Sequence, residues 1–283
     1  MPSLQEILLA FLLPGCMVGV GLLAVARSAG ASDRQIEIAG ACAFGVAYLV
    51  AHSVLLGWPA WPSGDRTLSA LEWQAWTIAA LIPCALLCAT SRRVPAIAFV
   101  ALAASFVYLA LRRWMHGAGS PWLAALFLAA MIGAWASTDA LVRRSPGVTP
   151  VPALLVSVIT ASVCSLLGHS AVVAELAGAL CVCLGASAVV AVLAPRFRLA
   201  RGAVVAILLV LTGVLLNGVF FSDVHWSSAL LTVLSLGAPW IAARGGSRTR
   251  VGWKPALIRA ALAAVFGAAA VLLAQQHAPT YEY

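Results

Sequence analysis

Charge is scarce in this chain: only 9% of its residues are charged. A soluble domain carries about a quarter charged residues, because a water-facing surface must be covered with groups that water solvates. Seventeen basic and nine acidic side chains cannot cover a globule of 283 residues. Lysine is nearly absent, and the single one, Lys254, falls at the edge of an apolar run, which argues against a retinal Schiff base inside a span. No Gly-rich loop followed by Lys, nucleophile elbow, CxxCH site, dinucleotide fingerprint or zinc-finger spacing occurs, so no cofactor and no metal are expected. The seven cysteines (Cys16, Cys42, Cys84, Cys88, Cys164, Cys181 and Cys183) all lie in apolar segments and read as small hydrophobes, not as a disulfide or zinc framework. Cys181 and Cys183, two apart on a helix, face different ways.

What the chain has in abundance is apolar length. Hydrophobic residues make up 63% of it and mean hydropathy is +1.02. A bilayer core roughly 30 Å thick takes about 20 apolar residues in a helix. Ten stretches meet or approach that, over residues 7–26, 36–56, 73–90, 94–111, 121–142, 151–167, 172–194, 203–221, 227–243 and 256–274. Turn-rich sequence separates them where it should, at Gly57-Trp58-Pro59, Ser145-Pro146-Gly147 and Gly245-Gly246-Ser247. The N-terminal run has no Lys or Arg ahead of it and carries Glu6, opposite to a secretory signal, and is read as a retained first span. The expected fold is an all-α, polytopic transmembrane helical bundle of about ten helices, forming a single transmembrane domain over 1–283.

Basic residues alternate between the connections. The first holds Arg27 and Arg34, the third Arg92 and Arg93, the fifth Arg143 and Arg144, and the seventh Arg196, Arg198 and Arg201. The ninth holds Arg244, Arg248, Arg250 and Lys254, with Arg259 just inside the last helix. That places 14 of the 17 basic residues on one side, against Arg66, Arg112 and Arg113 on the other. Positive-inside logic puts the odd connections in the cytoplasm and both the N-terminus and the C-terminus outside. Adding or losing one helix in the middle would scramble this alternation, so charge supports ten spans independently of hydropathy. A net charge of +8 then reads as topology determinants that also meet anionic lipid. No nucleic acid is expected, and the expected location is the cytoplasmic (inner) membrane of a bacterium. Most of the ten tryptophans fall at the outer interface, including Trp58, Trp61, Trp73 and Trp76, which form an interfacial belt or an outer platform.

The Ser145-Pro146-Gly147 connection divides the chain into halves 1–145 and 148–283 with five spans each. Five is odd, so the second half enters the membrane in the opposite sense, the parity of an inverted repeat. In size and helix number the layout resembles the drug and metabolite exporter superfamily, whose termini, however, lie in the cytoplasm.

All connections are short, so any site must be built from helices and their ends. Ionisable groups at membrane depth are the natural candidates, since burying one in lipid costs a few kcal/mol unless protein or water solvates it. Glu175 is the foremost, inside the seventh span, as a carboxylate for proton coupling or cation binding. The histidines form the second group: His52, His116, His169, His225 and His277 all fall on the outer side. His52, His169, Glu175, Asp223 and His225 carry nitrogen and oxygen ligands at several helix ends, yet no HExxH or paired-histidine face marks a metal site. Asn217 is a polar partner on the same side. Asp139 is expected to pair locally with Arg143 or Arg144, and Gly15 and Gly19, four apart, to form a close-packing face. Three readings stay open: a secondary transporter or permease for a small solute or proton, a structural or accessory subunit, and a membrane-embedded enzyme or haem or metal protein with an outer-leaflet site. Partners other than the lipid bilayer cannot be named from the residues.

Overall fold

The computed structural model of the chain describes residues 4–28, 32–62, 67–88, 94–116, 120–144, 149–194, 197, 199–244 and 253–278. Every regular element among them is an α-helix: α1 Leu4–Arg27, α2 Asp33–Leu56, α3 Ala70–Cys88, α4 Val94–His116, α5 Pro121–Arg144, α6 Val151–Leu167, α7 Ala171–Leu193, α8 Arg201–Phe221, α9 Trp226–Arg244 and α10 Trp253–Gln276. Six of them, α1, α2, α5, α7, α8 and α10, are long and apolar enough to cross a membrane. The expected breakers at Ser145-Pro146-Gly147 and Gly245-Gly246-Ser247, and the basic residues Arg66, Arg92, Arg93, Arg196, Arg198, Arg248 and Arg250, lie outside the described residues.

The helices run beyond the apolar stretches because polar residues close their first turns. At α2 the Ser32 Oγ accepts from the Gln35 N–H at 3.3 Å while the Gln35 Oε1 accepts from the Ser32 N–H at 2.8 Å. At α3 Ser69 and Glu72 make the same reciprocal pair, at 3.2 and 2.8 Å. Each capping box satisfies two of the N–H groups that a helix start leaves without partners.

α8 is the axis of the bundle. Residues 202–218 are all buried, and α2, α3, α4, α5, α6, α7 and α9 pack around them. Of its apolar window 83% is buried, against 28% for α1 and 22% for α10, which sit at the periphery against α2 and α7 and against α6 and α9. The outer faces carry large apolar side chains such as Leu12 and Val20 on α1, Ile97 on α4, Leu126 on α5, Val192 on α7 and Val265 on α10, all exposed. Apolar surface on so many faces of one molecule is incompatible with water and suits hydrocarbon, so the chain is an integral membrane protein. Contacts between successive helices recur in both halves, α1 with α2 as α6 with α7, while other contacts have no counterpart. Among the described residues α1 lies along α7 while α6 does not touch α2, and α6 lies along α10 while α1 does not touch α5.

Small residues and hydroxyls hold the helices together, as expected where lipid removes the hydrophobic drive for helices to associate. Gly15 and Gly19 of α1 face Val182 and Ala186 of α7, and a Cβ at Gly15 would come within 2.6 Å of the Val182 side chain. The Ser162 Oγ donates to the Ala174 carbonyl at 2.8 Å, joining α6 to α7, and the Ser235 Oγ donates to the Ser157 Oγ at 2.7 Å, joining α9 to α6.

One polar contact reaches the axis from the side. The Gln74 Nε2 of α3 donates to the Val210 carbonyl of α8 at 2.9 Å, and the amide lies against Gly213, where any side chain would collide with it. Its Oε1 is buried without a hydrogen-bond partner. The net worth of the single bond is about 1 kcal/mol, no more than the cost of the orphaned acceptor. Gln74→Met, which keeps the length and removes both, is therefore expected to shift the unfolding midpoint in detergent by less than the equivalent of about 1 kcal/mol. Gln74→Ala, which opens a cavity, should cost roughly 2 kcal/mol or more.

Candidate functional site

The polar residues collect at opposite ends of the bundle. At one end the N-termini of α2 and α8 meet the C-terminus of α5. Asp139, 2% exposed, accepts from the Arg201 Nε at 2.6 Å and from its Nη2 at 3.2 Å, a two-pronged pair across 62 residues of sequence. The Arg143 Nη2 adds a third contact, 3.0 Å from the Asp139 Oδ2, on the same helix. The local pair expected for Asp139 is therefore present, and the stronger partner, Arg201, comes from another helix. Glu37 does more than favour its own helix start: its Oε2 accepts the Gly202 N–H at 2.7 Å and so caps α8. Two carboxylates thus fix the start of the axial helix.

The other end is aromatic. Phe220 at the end of α8 makes edge contacts with Trp114 of α4, Phe127 of α5 and Trp226 of α9, with ring centroids 5.0–5.9 Å apart. Trp61 meets Trp76 edge-on at 5.0 Å, and the Trp76 Nε1 donates to the Ala60 carbonyl at 2.8 Å. The same end carries the histidines. His169 is exposed and takes a left-handed backbone, φ 59°, which lets α6 reverse into α7 within three residues. That turn rests on the α8–α9 connection, where the Asp223 N–H donates to the Gly168 carbonyl at 3.2 Å. Asp223 and His225 are exposed. The His225 Nδ1 lies 2.7 Å from the Ser227 Oγ, and its ring stacks on His277 at 4.0 Å.

The remaining candidates divide. Asn217 is buried but turns back on its own helix, its Nδ2 donating to the Gly213 carbonyl at 2.8 Å. Glu175 is half-buried in the second turn of α7 and makes no hydrogen bond or ion pair among the described residues. Nor do the described residues anywhere gather three or more His, Cys, Asp or Glu side chains in a position to hold a metal ion. His169, Asp223 and His225 thus share one corner, the α6–α7 turn against the α8–α9 connection, while His52 lies near the end of α2 and Glu175 in the second turn of α7.

His52 occupies the most unusual of these places. It is 1% exposed, one turn before the end of α2, with its ring 6.1 Å from that of Tyr48, and among the described residues neither ring nitrogen has a hydrogen-bond partner. The ring borders a cavity of about 150 Å³ formed with Leu56, Gly57, Trp58, Pro59, Ser69, Leu71 and Glu72. The Glu72 carboxylate and the backbone of Gly57 and Leu71 face the imidazole. Gly57, at φ 81°, turns the chain sharply out of α2 and leaves the space open. An imidazole buried with both nitrogens unmatched costs about 1–3 kcal/mol, and a site that retains such a group has a use for it or a solvent to match it. Glu72 is the residue the sequence did not single out; its Ser69-x-x-Glu72 spacing marks a capping box, and the carboxylate serves as cap and cavity wall at once.

Compared with known proteins, the chain matches no family model, no curated protein and no solved structure.

Proposed function

We propose that the chain is a ten-span permease of a bacterial cytoplasmic membrane, with both termini outside, that admits a small solute at the aromatic end between α2 and α3. The observation carrying this reading is the buried, unpartnered His52 at the wall of a polar cavity, beside a carboxylate and beneath exposed Trp58 and Trp61. Lipid-facing helices rarely keep an ionisable group without a solvated path to it. The orientation is supported by the basic end, where Arg27, Arg143 and Arg144 close their helices, and by the tryptophan-rich opposite end.

Two measurements test it. In a background freed of native cysteines, Ser222→Cys should react with a membrane-impermeant thiol reagent in intact cells, and Ser28→Cys only after lysis; the reverse pattern overturns the orientation. Protein reconstituted in liposomes should move a small solute, with His52→Ala reducing flux about tenfold or more. Glu175→Gln is expected to leave solute binding in place and to remove the response of flux to an imposed proton gradient. A second reading, an accessory subunit without transport, draws on α8. This axis is filled with apolar side chains, and among the described residues its Thr212 and Asn217 side chains bond within the helix. Recovery of the chain in a fixed stoichiometry with another membrane protein, and no flux by itself, would favour that reading.

A further inference from the structure

We propose that the cavity bounded by His52 and Glu72 is a binding site for a small organic cation, a primary ammonium or guanidinium-type group of at most about six non-hydrogen atoms. The inference deepens the permease reading and rests on it for the claim that the bound cation is cargo; binding itself stands without it.

Size sets the first limit. A cavity of about 150 Å³ matches the engineered apolar cavity that takes up benzene, a ligand of six heavy atoms. Larger solutes extend beyond the cavity. Chemistry sets the second. The lining contains a carboxylate, Glu72, an imidazole, His52, and a hydroxyl, Ser69, and among the described residues it contains no Lys or Arg. The Ser69 N–H and Oγ both donate to the Glu72 Oε2, at 2.8 and 3.0 Å, which holds the carboxylate against the wall. The backbone of Gly57 and Leu71 faces the same space. Among the described lining residues acceptors outnumber donors, so a ligand rich in N–H groups is matched better than an anion.

The walls fit the carbon part of such a ligand. Leu56, Pro59 and Leu71 are apolar, and Trp58 presents an indole at the rim, where a cation over the ring face gains about 0.5–1 kcal/mol even when exposed. A transition metal is a poorer match, since His52 and Glu72 are only two side-chain ligands and the described residues supply no third. An imidazole nitrogen without a partner among the described residues can accept a hydrogen bond, and the ligand's N–H supplies it.

The test uses the full chain in lipid nanodiscs and isothermal titration with methylammonium, guanidinium and, as the anionic counterpart, acetate. Saturable binding of at least one cation and none of acetate is expected. Glu72→Gln, which retains a capping side chain, and His52→Gln, which retains volume and polarity, should each weaken cation binding about tenfold or more while the melting curve stays close to wild type. Absence of saturable binding by the wild type, or binding unchanged in both variants, overturns the inference. Zinc binding that depends on both residues, with no cation binding, also overturns it. Cation binding in nanodiscs without flux in liposomes keeps the site and removes the permease reading. Flux of a different solute without cation binding does the opposite.

Discussion

Asp139→Asn is expected to cost the folded protein about 3–5 kcal/mol, read as a fall in the unfolding midpoint in detergent. The carboxylate is 2% exposed and Arg201, which grips it with two nitrogens, is 15% exposed, so the substitution takes the two-pronged carboxylate away from a guanidinium that little water reaches. Breaking a buried pair from one side is costly for this reason, whereas replacing both partners by neutral groups need not be. Asp139→Asn combined with Arg201→Gln should therefore recover much of the loss. Arg143 supplies the internal control. Its side chain is 60% exposed, and an exposed pair is worth roughly 0–1 kcal/mol, so Arg143→Ala should be nearly silent. Equal effects of Arg143→Ala and Arg201→Ala would refute the distinction between the local and the interhelical partner.

Gly202→Ala is the second large effect, expected at about 2–4 kcal/mol. A Cβ at this position would stand 2.5 Å from the Glu37 carbonyl oxygen and 3.1 Å from the Ala41 Cβ. The first obstacle is main chain, so the strain can be relieved only by moving α2 away from α8. Overpacking of this kind costs roughly 1–3 kcal/mol. Withdrawal of α2 also stretches the 2.7 Å bond from the Gly202 N–H to the Glu37 carboxylate, and bonds to charged groups are worth about 1.5–3 kcal/mol. Gly185→Ala, where a Cβ meets nothing within 4 Å, should be tolerated to within about 1 kcal/mol. If both substitutions lower the midpoint equally, helix flexibility and not the α2–α8 contact is the cause.

Helix positions were legible because each apolar run has the length of a helix, and the misjudged ends are polar. Ser32 with Gln35, and Ser69 with Glu72, draw residues into helix that hydropathy assigns to loop. The central place of α8 was not legible. Residues facing lipid and residues facing protein are equally apolar, so α7 and α8 read alike although one keeps an outer face and the other has none. Partnerships between distant residues were hidden for a related reason. Spacing shows that Arg143 lies one turn from Asp139 but says nothing of Arg201, and it shows Glu72 as a cap without placing His52 opposite it. Glu175 drew attention by its depth in an apolar run, yet that run starts at the helix end beside an exposed turn, which leaves the side chain half-buried.

The burial of α8 also bears on how the chain is made. Synthesis proceeds from the N-terminus at about 5–20 residues per second, so the helix around which the others close is the eighth to emerge. Asp139 precedes Arg201 by 62 residues, a delay of about 3–12 s, and Gln74 precedes Val210 by 136, a delay of about 7–27 s. Glu37 precedes Gly202 by 165 residues, or about 8–33 s. During that interval the growing bundle lacks its own centre, and its polar side chains must be sheltered by the insertion machinery or held at the lipid headgroups until the ribosome delivers their partner.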